Sequence, residues 1–320
     1  MTPSATVPTM PAIDAVLLVA FGGPERPEDI RPFLDAVLRG RPVPPERYEE
    51  VVRHYELIGG RSPLNELTFR QARGLADLLA AEGPRVPVYV GMRNWTPTIA
   101  DTLAAMQRDG VRRAVTVLLA AHRAEASWER YRSALDEGRA RLGASAPALA
   151  YAGRWFDHPD FVAANVARVR EAFAAAPAET ALVFTAHSIP RAMAAASPYV
   201  QELETSCRLV AAELGRPFTL AYQSRSGGPR DPWLEPDINE SLRVLAARGT
   251  RHVVVSPIGF VCDHVEVLYD LDVEARATAA SLGVGFSRAA TANDHPAFIR
   301  MLAEVVRARL AAPESPPEST

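Results

Sequence analysis

The sequence predicts an α/β protein built from two related halves, each a parallel sheet flanked by helices. Three observations carry this. Short apolar runs rich in Val, Leu and Ile alternate with longer amphipathic stretches along the 320 residues, as expected for strands buried on both faces and joined by helical crossovers. The motif Asp157-His158-Pro159, followed by Phe161, returns as Asp294-His295-Pro296, followed by Phe298. Hydrophobic residues make up 48% of the chain, ample for a large core and for two domains rather than one.

In chain order, the predicted strands are 15–21, 86–91, 114–120, 148–152, 181–186, 219–222, 252–258 and 284–286. Helical spacing marks 98–109, 126–142, 198–214 and 264–282 between them. In both copies of the repeated motif, Asp suits the helix N-cap and Pro the first turn. The expected halves are 12–155 and 156–312. The tails 1–11 and 313–320, rich in Pro and, in the second, Glu and Ser, are expected to be disordered.

Composition excludes several function classes. A net charge of −3 offers no basic field for nucleic acid. All 35 cationic residues are Arg, so chemistry that needs a lysine, such as a pyridoxal Schiff base or a phosphate-loop lysine, is ruled out. Cys207 and Cys262 are too far apart in sequence to form a Cys-x-x-Cys pair, which argues against a disulfide framework or an all-cysteine metal cluster. The longest early apolar run, 15–21, is too short to span a bilayer, and the first residues lack a secretory pattern. A cytoplasmic protein without a transmembrane segment is the expectation.

Ligands of open parallel sheets bind beyond the carboxyl ends of the strands. The segments there are Gly22-Gly23-Pro24, His122-Arg123, His187-Ser188-Ile189-Pro190 and Cys262-Asp263-His264. His187 can hold a divalent metal or accept a proton near neutral pH, or it can simply bond backbone at a turn. Glu266, Asp270 and Glu274 recur every four residues. On a helix that places three carboxylates on one face, either to meet cations or as an ordinary solvated surface. Arg225 in Gln223-Ser224-Arg225-Ser226-Gly227 can grip a carboxylate, and Trp233 can stack on a flat ring. Gly59-Gly60-Arg61-Ser62-Pro63-Leu64 and Gly91-Met92-Arg93-Asn94-Trp95 repeat the theme of flexible backbone beside a cation and an apolar group.

These segments together resemble the ferrochelatase family. The matching stretches are Leu17-Leu18-Val19-Ala20-Phe21-Gly22-Gly23-Pro24, Gly59 to Asn65, Gly91 to Trp95, Thr185-Ala186-His187-Ser188-Ile189-Pro190, Tyr222 to Gly227, Pro232-Trp233-Leu234 and Pro257 to Glu266, in family order. The resemblance implies two Rossmann-like domains with a porphyrin cleft between them, and ferrous iron as a substrate. It implies that His187 and Glu266 face each other across the metal-insertion site, with Asp270 and Glu274 continuing an acidic row that carries metal or protons. Phe21, Arg61, Trp95 and Trp233 match positions on or near the porphyrin pocket. His122, Arg123, Arg93, Arg225 and His264 complete the candidate substrate-binding set. The motifs most resemble the coproporphyrin-using branch. Four propionates call for donors around the cleft, which Arg61, Arg93, Arg123 and Arg225 are expected to supply from both halves.

The chain departs from the family pattern in three places. Phe21 stands where many relatives of that branch have Tyr, so no phenolic ligand to product iron is available there. The loop His122-Arg123-Ala124-Glu125-Ala126 lacks the usual Ser, Thr and aromatics. Two cysteines cannot hold the iron–sulfur cluster that some relatives carry, and none is expected. Expected partners are the porphyrin, a transient iron donor and neighbouring heme-pathway enzymes. His187 is expected to remove pyrrole protons, and Glu266 with its row to deliver metal. The alternatives are a protoporphyrin-using enzyme, a cobalt or nickel chelatase for a sirohydrochlorin-like ring, and a non-catalytic porphyrin carrier.

Overall fold

The computed structural model describes residues 13–227 and 231–311. The expected disordered tails, 1–11 and 313–320, lie outside the described residues. Eight strands form two parallel sheets. The first contains β1 (Ala15–Ala20), β2 (Val88–Met92), β3 (Arg113–Leu118) and β4 (Ala148–Tyr151), in the order β2-β1-β3-β4. The second contains β5 (Ala181–His187), β6 (Phe218–Gln223), β7 (His252–Ser256) and β8 (Gly285–Arg288), in the order β6-β5-β7-β8. Every predicted run overlaps a strand. The two orders are the same when counted from each half's first strand, so the repeat sensed in the sequence is a repeat of topology.

β1 shows why the apolar runs were readable. Its residues are at most 3% exposed, because helices cover both faces of the sheet. At its end the chain must turn sharply. Gly22 takes φ +86°, and a Cβ there would stand 2.9 Å from the Trp95 Cβ, so only glycine fits. Asn65, 1% exposed, then clamps the next residue: the Gly23 N–H donates to its Oδ1 and its Nδ2 donates to the Gly23 carbonyl, both at 2.9 Å.

The repeated motif caps its helices differently from the expectation. His158, not Asp157, is the N-cap of the helix Pro159–Phe173, its Nδ1 accepting from the Asp160 N–H at 3.2 Å. His295 Nδ1 accepts likewise from the Ala297 N–H at 3.1 Å, at the start of the helix Pro296–Ala311. The imidazole reaches the second amide of the first turn, whereas Asp sits one residue too early.

These two helices lock the halves together. Pro159–Phe173 follows β4 of the first sheet yet packs on β7 and β8 of the second, whereas Pro296–Ala311 follows β8 yet packs on β3 of the first. They also pack on each other. Trp155, Phe161 and Phe298, each at most 1% exposed, meet edge to face at the crossing, with Trp155 5.3 Å from Phe161 and 5.7 Å from Phe298. One core cluster therefore runs from Val16 and Leu18 through to Phe184 and Val254.

Two predicted helices are interrupted. A π-helical stretch, Glu125–Glu129, precedes the helix Arg130–Leu142. Another, Leu268–Ala275, lies between short α-helices Val265–Val267 and Arg276–Ser281. π turns are uncommon and concentrate at functional sites. An i+4 spacing of carboxylates does not reveal them.

Replacing Phe298 by Ala should cost about 3–5 kcal/mol, the range for a buried aromatic. Because its ring belongs to a core shared by both sheets, denaturant unfolding should stay a single transition at a lower midpoint. Two separated transitions would show that the halves unfold independently.

Candidate active site

The loops at the carboxyl ends of the central strands β1, β3, β5 and β7 converge on a cavity of about 570 Å³ between the sheets. That size suits a small-molecule ligand, since such pockets span roughly 300–1,000 Å³. Its walls include Phe21 and Gly22 after β1, His122 after β3, His187 at the end of β5, and His264 and Glu266 after β7. Trp233 also lines it, backed by Gly227, where a Cβ would stand 2.0 Å from the indole Nε1.

His187 is set from several sides. Tyr199 OH donates to its carbonyl at 2.9 Å, and its ring Nδ1–H donates to the Ser188 carbonyl. That bond leaves Nε2 turned to Glu266 Oε1, 3.6 Å away. The close approach of β5 to the loop after β7 requires Gly259, where a Cβ would stand 2.4 Å from the Ala186 Cβ. Glu266 is held by its backbone, whose carbonyl accepts from Gln223 Nε2 at 2.8 Å. Its second oxygen lies 3.5 Å from His264 Nε2.

The electrostatics follow from this geometry. Burial opposes charge on His187, but Glu266, the Ser188 carbonyl and Asp270 outweigh it and raise its pKa to about 9. Burial likewise opposes charge on Glu266, but His187 and His264 prevail and lower it to about 2. The two therefore form an imidazolium–carboxylate pair at neutral pH. Asp270 goes the other way, raised to about 7 by burial and by repulsion from Glu266 and Glu274, against a hydrogen bond from Ser224. Burial also raises Glu274. Asp270 and Glu274 do not line the cavity; they continue from Glu266 along the π segment. Among the described residues, no group of three or more His, Cys, Asp or Glu forms a ready metal cage.

The arginines differ from the expectation. Arg93 lines the cavity, its loop fixed where the Arg93 N–H donates to the Ala20 carbonyl at 2.9 Å. Arg123 lies outside the lining, bonded to Glu129 at 2.9 Å and stacked on Trp128. Arg225 donates to the Asp231 carbonyl at 2.8 Å. Arg61 is exposed in the turn after the helix Pro45–Leu57 and does not reach the cavity. Trp95 supports the wall from behind, 6.0 Å from Phe33, which in turn packs on Phe21. In place of the missing arginines the cavity has Arg41 and Arg130, with Tyr55 and Tyr131. Sequence reading missed all four. Burial and the charges of Arg39, Arg130 and Arg41 hold Arg93 below the ordinary guanidinium range, and its buried Nε has no hydrogen-bond partner among the described residues. Among the described residues, the cavity arginines thus come from the first half, and the imidazole–carboxylate pair from the second.

Two parallel-sheet lobes closing such a site define the chelatase class of fold. SirB from Bacillus subtilis, solved with Fe3+, superposes with a TM-score of 0.59 at 14% identity, over 93% of this chain and 96% of SirB. The ferrochelatase family model matches residues 13–310, and the chain belongs to the ferrochelatase family. Among its relatives, the coproporphyrin III ferrochelatase of Nocardia farcinica is 45% identical over 312 residues, covering 93% of this chain and 89% of that one. The ferrochelatase of Rhodopirellula baltica is 42% identical over 306 residues, covering 94% and 87%.

Folding raises the His187 pKa from 6.5 to about 9, so this group adds stability that is complete below about 6.5 and fades as pH rises through 9. Glu266, lowered from 4.5 to about 2, adds stability above 4.5 that fades as pH falls through 2. In the metal-free protein, an NMR titration should place the His187 imidazole near 9. Glu266→Gln should bring it below the ordinary 6.5, since only burial and weaker partners remain. An unmoved titration would show that the carboxylate does not hold the proton.

Proposed function

We propose that this protein inserts ferrous iron into coproporphyrin III in heme synthesis. One observation carries the reading: a ring nitrogen of His187 facing the Glu266 carboxylate at 3.6 Å on the wall of the cleft between the sheets. Metalation exchanges two pyrrole protons for one divalent cation, so the site needs a proton acceptor beside a hard oxygen ligand. Imidazole and carboxylate are both acceptable to ferrous iron.

The resting pair sets the order of events. His187 holds a proton because Glu266 is anionic. Iron reaching Glu266 brings two positive charges next to the imidazolium and drives its proton out to solvent, as metal binding generally releases protons. The freed Nε2 then takes a pyrrole proton while the metal passes to the ring nitrogens. Asp270, raised to about 7 by burial and by its carboxylate neighbours, can take up and release a proton near neutral pH and relays the second proton outward, with Glu274 beyond it. The cavity walls hold the macrocycle bent toward the metal, and Phe21 supplies an apolar surface without a phenolic ligand.

Arg41, Arg93 and Arg130 support a carboxylate-rich substrate. Each Arg–carboxylate bond is worth about 1.5–3 kcal/mol. The names of the Nocardia farcinica and Mycolicibacterium smegmatis relatives support coproporphyrin III in particular. Cys207 and Cys262, both buried free thiols that burial pushes up in pKa, do not supply the four thiolates of an iron–sulfur cluster. Among the described residues, no helix is long and apolar enough to cross a membrane. A cytoplasmic enzyme served by a transient iron donor and neighbouring heme-pathway enzymes completes the reading.

The test is an anaerobic metalation assay with ferrous iron, read by porphyrin absorbance. Coproporphyrin III should show a higher specificity constant than protoporphyrin IX, with and without detergent. Equal or reversed preference in both conditions would reject the coproporphyrin assignment. His187→Ala should abolish insertion while porphyrin still quenches Trp fluorescence, and Glu266→Gln should cost at least about 100-fold in turnover, the scale of a positioned catalytic group. Near wild-type turnover in either variant would remove that residue from the mechanism.

A further inference from the structure

Arg288 ends β8 and lies outside the cavity lining, yet it ties together both ends of the segment that carries Glu266. Its side chain is 13% exposed. Nη1 donates to Asp263 Oδ1 at 3.0 Å and to the Ala289 carbonyl at 3.2 Å, and Nε donates to Asp272 Oδ2 at 2.8 Å. Asp263 stands three residues before Glu266 and Asp272 six after it. One planar guanidinium therefore spans His264, Glu266 and Asp270.

Both anchors are themselves fixed. The Asp263 N–H donates to Asn293 Oδ1 at 3.0 Å, and its carboxylate also faces the Thr291 N–H and Asn293 Nδ2, both at 3.4 Å. The Asn293 carbonyl accepts from Gln71 Nε2 of the first half at 2.8 Å. Asp272 Oδ1 accepts from Arg276 Nη2 at 3.2 Å. The second anchor, Asp272, lies within the π stretch Leu268–Ala275. Such turns are rare and occur frequently at functional sites.

We infer that Arg288 is a positioning residue: by fixing the span from Asp263 to Asp272 it holds Glu266 and Asp270 at the spacing that receives iron. The inference rests on the reading of Glu266 as the iron-receiving group. Asp263, Asp272 and Arg288 do not line the cavity, so their effect on the reaction passes through the segment they clamp. Outer residues that orient metal ligands typically govern roughly 10–100-fold in metal affinity or activity. A lysine cannot replace the fork, because a single ammonium on a flexible stem lacks the planar pair of donors that reaches two separate carboxylates.

The test is steady-state metalation under anaerobic conditions with Arg288→Gln and Arg288→Lys, alongside porphyrin affinity from Trp quenching. Arg288→Gln should raise the iron KM about 10-fold and lower kcat by a similar factor, within the outer-residue range, with porphyrin affinity unchanged. Arg288→Lys should fall between it and wild type. Asp272→Asn, which releases only one end of the fork, should move iron KM in the same direction and serves if Arg288→Gln does not fold. Wild-type iron KM in these variants, or loss of porphyrin affinity in step with activity, overturns this inference alone. Full turnover in Glu266→Gln overturns it together with the reading beneath it.

Discussion

The pairing of His187 with Glu266 joins two segments that local structure alone does not bring together, the end of β5 and the helix start after β7. Much of the surrounding structure holds these two opposite charges together at a half-buried wall, their side chains 31% and 39% exposed. Ser188 and Tyr199 fix the imidazole side, Gln223 fixes the carboxylate side, and Gly259 lets the two backbones approach. Separate the pair and both groups return toward the forms that burial favours, a neutral histidine and a neutral acid.

The strands were legible because parallel strands buried on both faces leave unbroken apolar runs; β1 and β7 are the clearest cases. His187 was legible because it ends a strand, Glu266 because it opens a row of carboxylates four residues apart, and both because they fall in stretches that resemble the family's motifs. The side-chain directions that depend on tertiary surroundings were not. Arg123 and Arg225 carry the right charge in the right loops, yet Glu129, Trp128 and the Asp231 carbonyl claim them. Arg41 and Arg130 fall outside any recognisable motif; the fold places them on the cavity wall even while Arg41 donates to the Leu38 and Val37 carbonyls and Arg130 to Glu125. The π stretches were hidden because they leave the residue types of an amphipathic helix intact.

The two halves divide the chemistry. The first supplies Arg41, Arg93, Arg130 and the aromatic wall of Phe21 and Tyr55; the second supplies His187, His264 and Glu266. Because the helix after β4 packs on the second sheet and the helix after β8 packs on the first and on that helix, the two sets keep their registration without a covalent link at the cavity. A rigid flat ligand spanning both sets would meet a single framework, the condition for turning binding energy into distortion.

The central claim is that arriving iron displaces the proton shared by His187 and Glu266. Anaerobic titration calorimetry with ferrous iron and no porphyrin, at pH 7 in buffers of different ionisation enthalpy, measures it directly. The account predicts release of close to one proton per iron bound, because the resting imidazole keeps its proton up to a pKa of about 9. It also predicts that this release disappears in Glu266→Gln. Iron binding to the wild type without proton release, or equal release from both proteins, would contradict it.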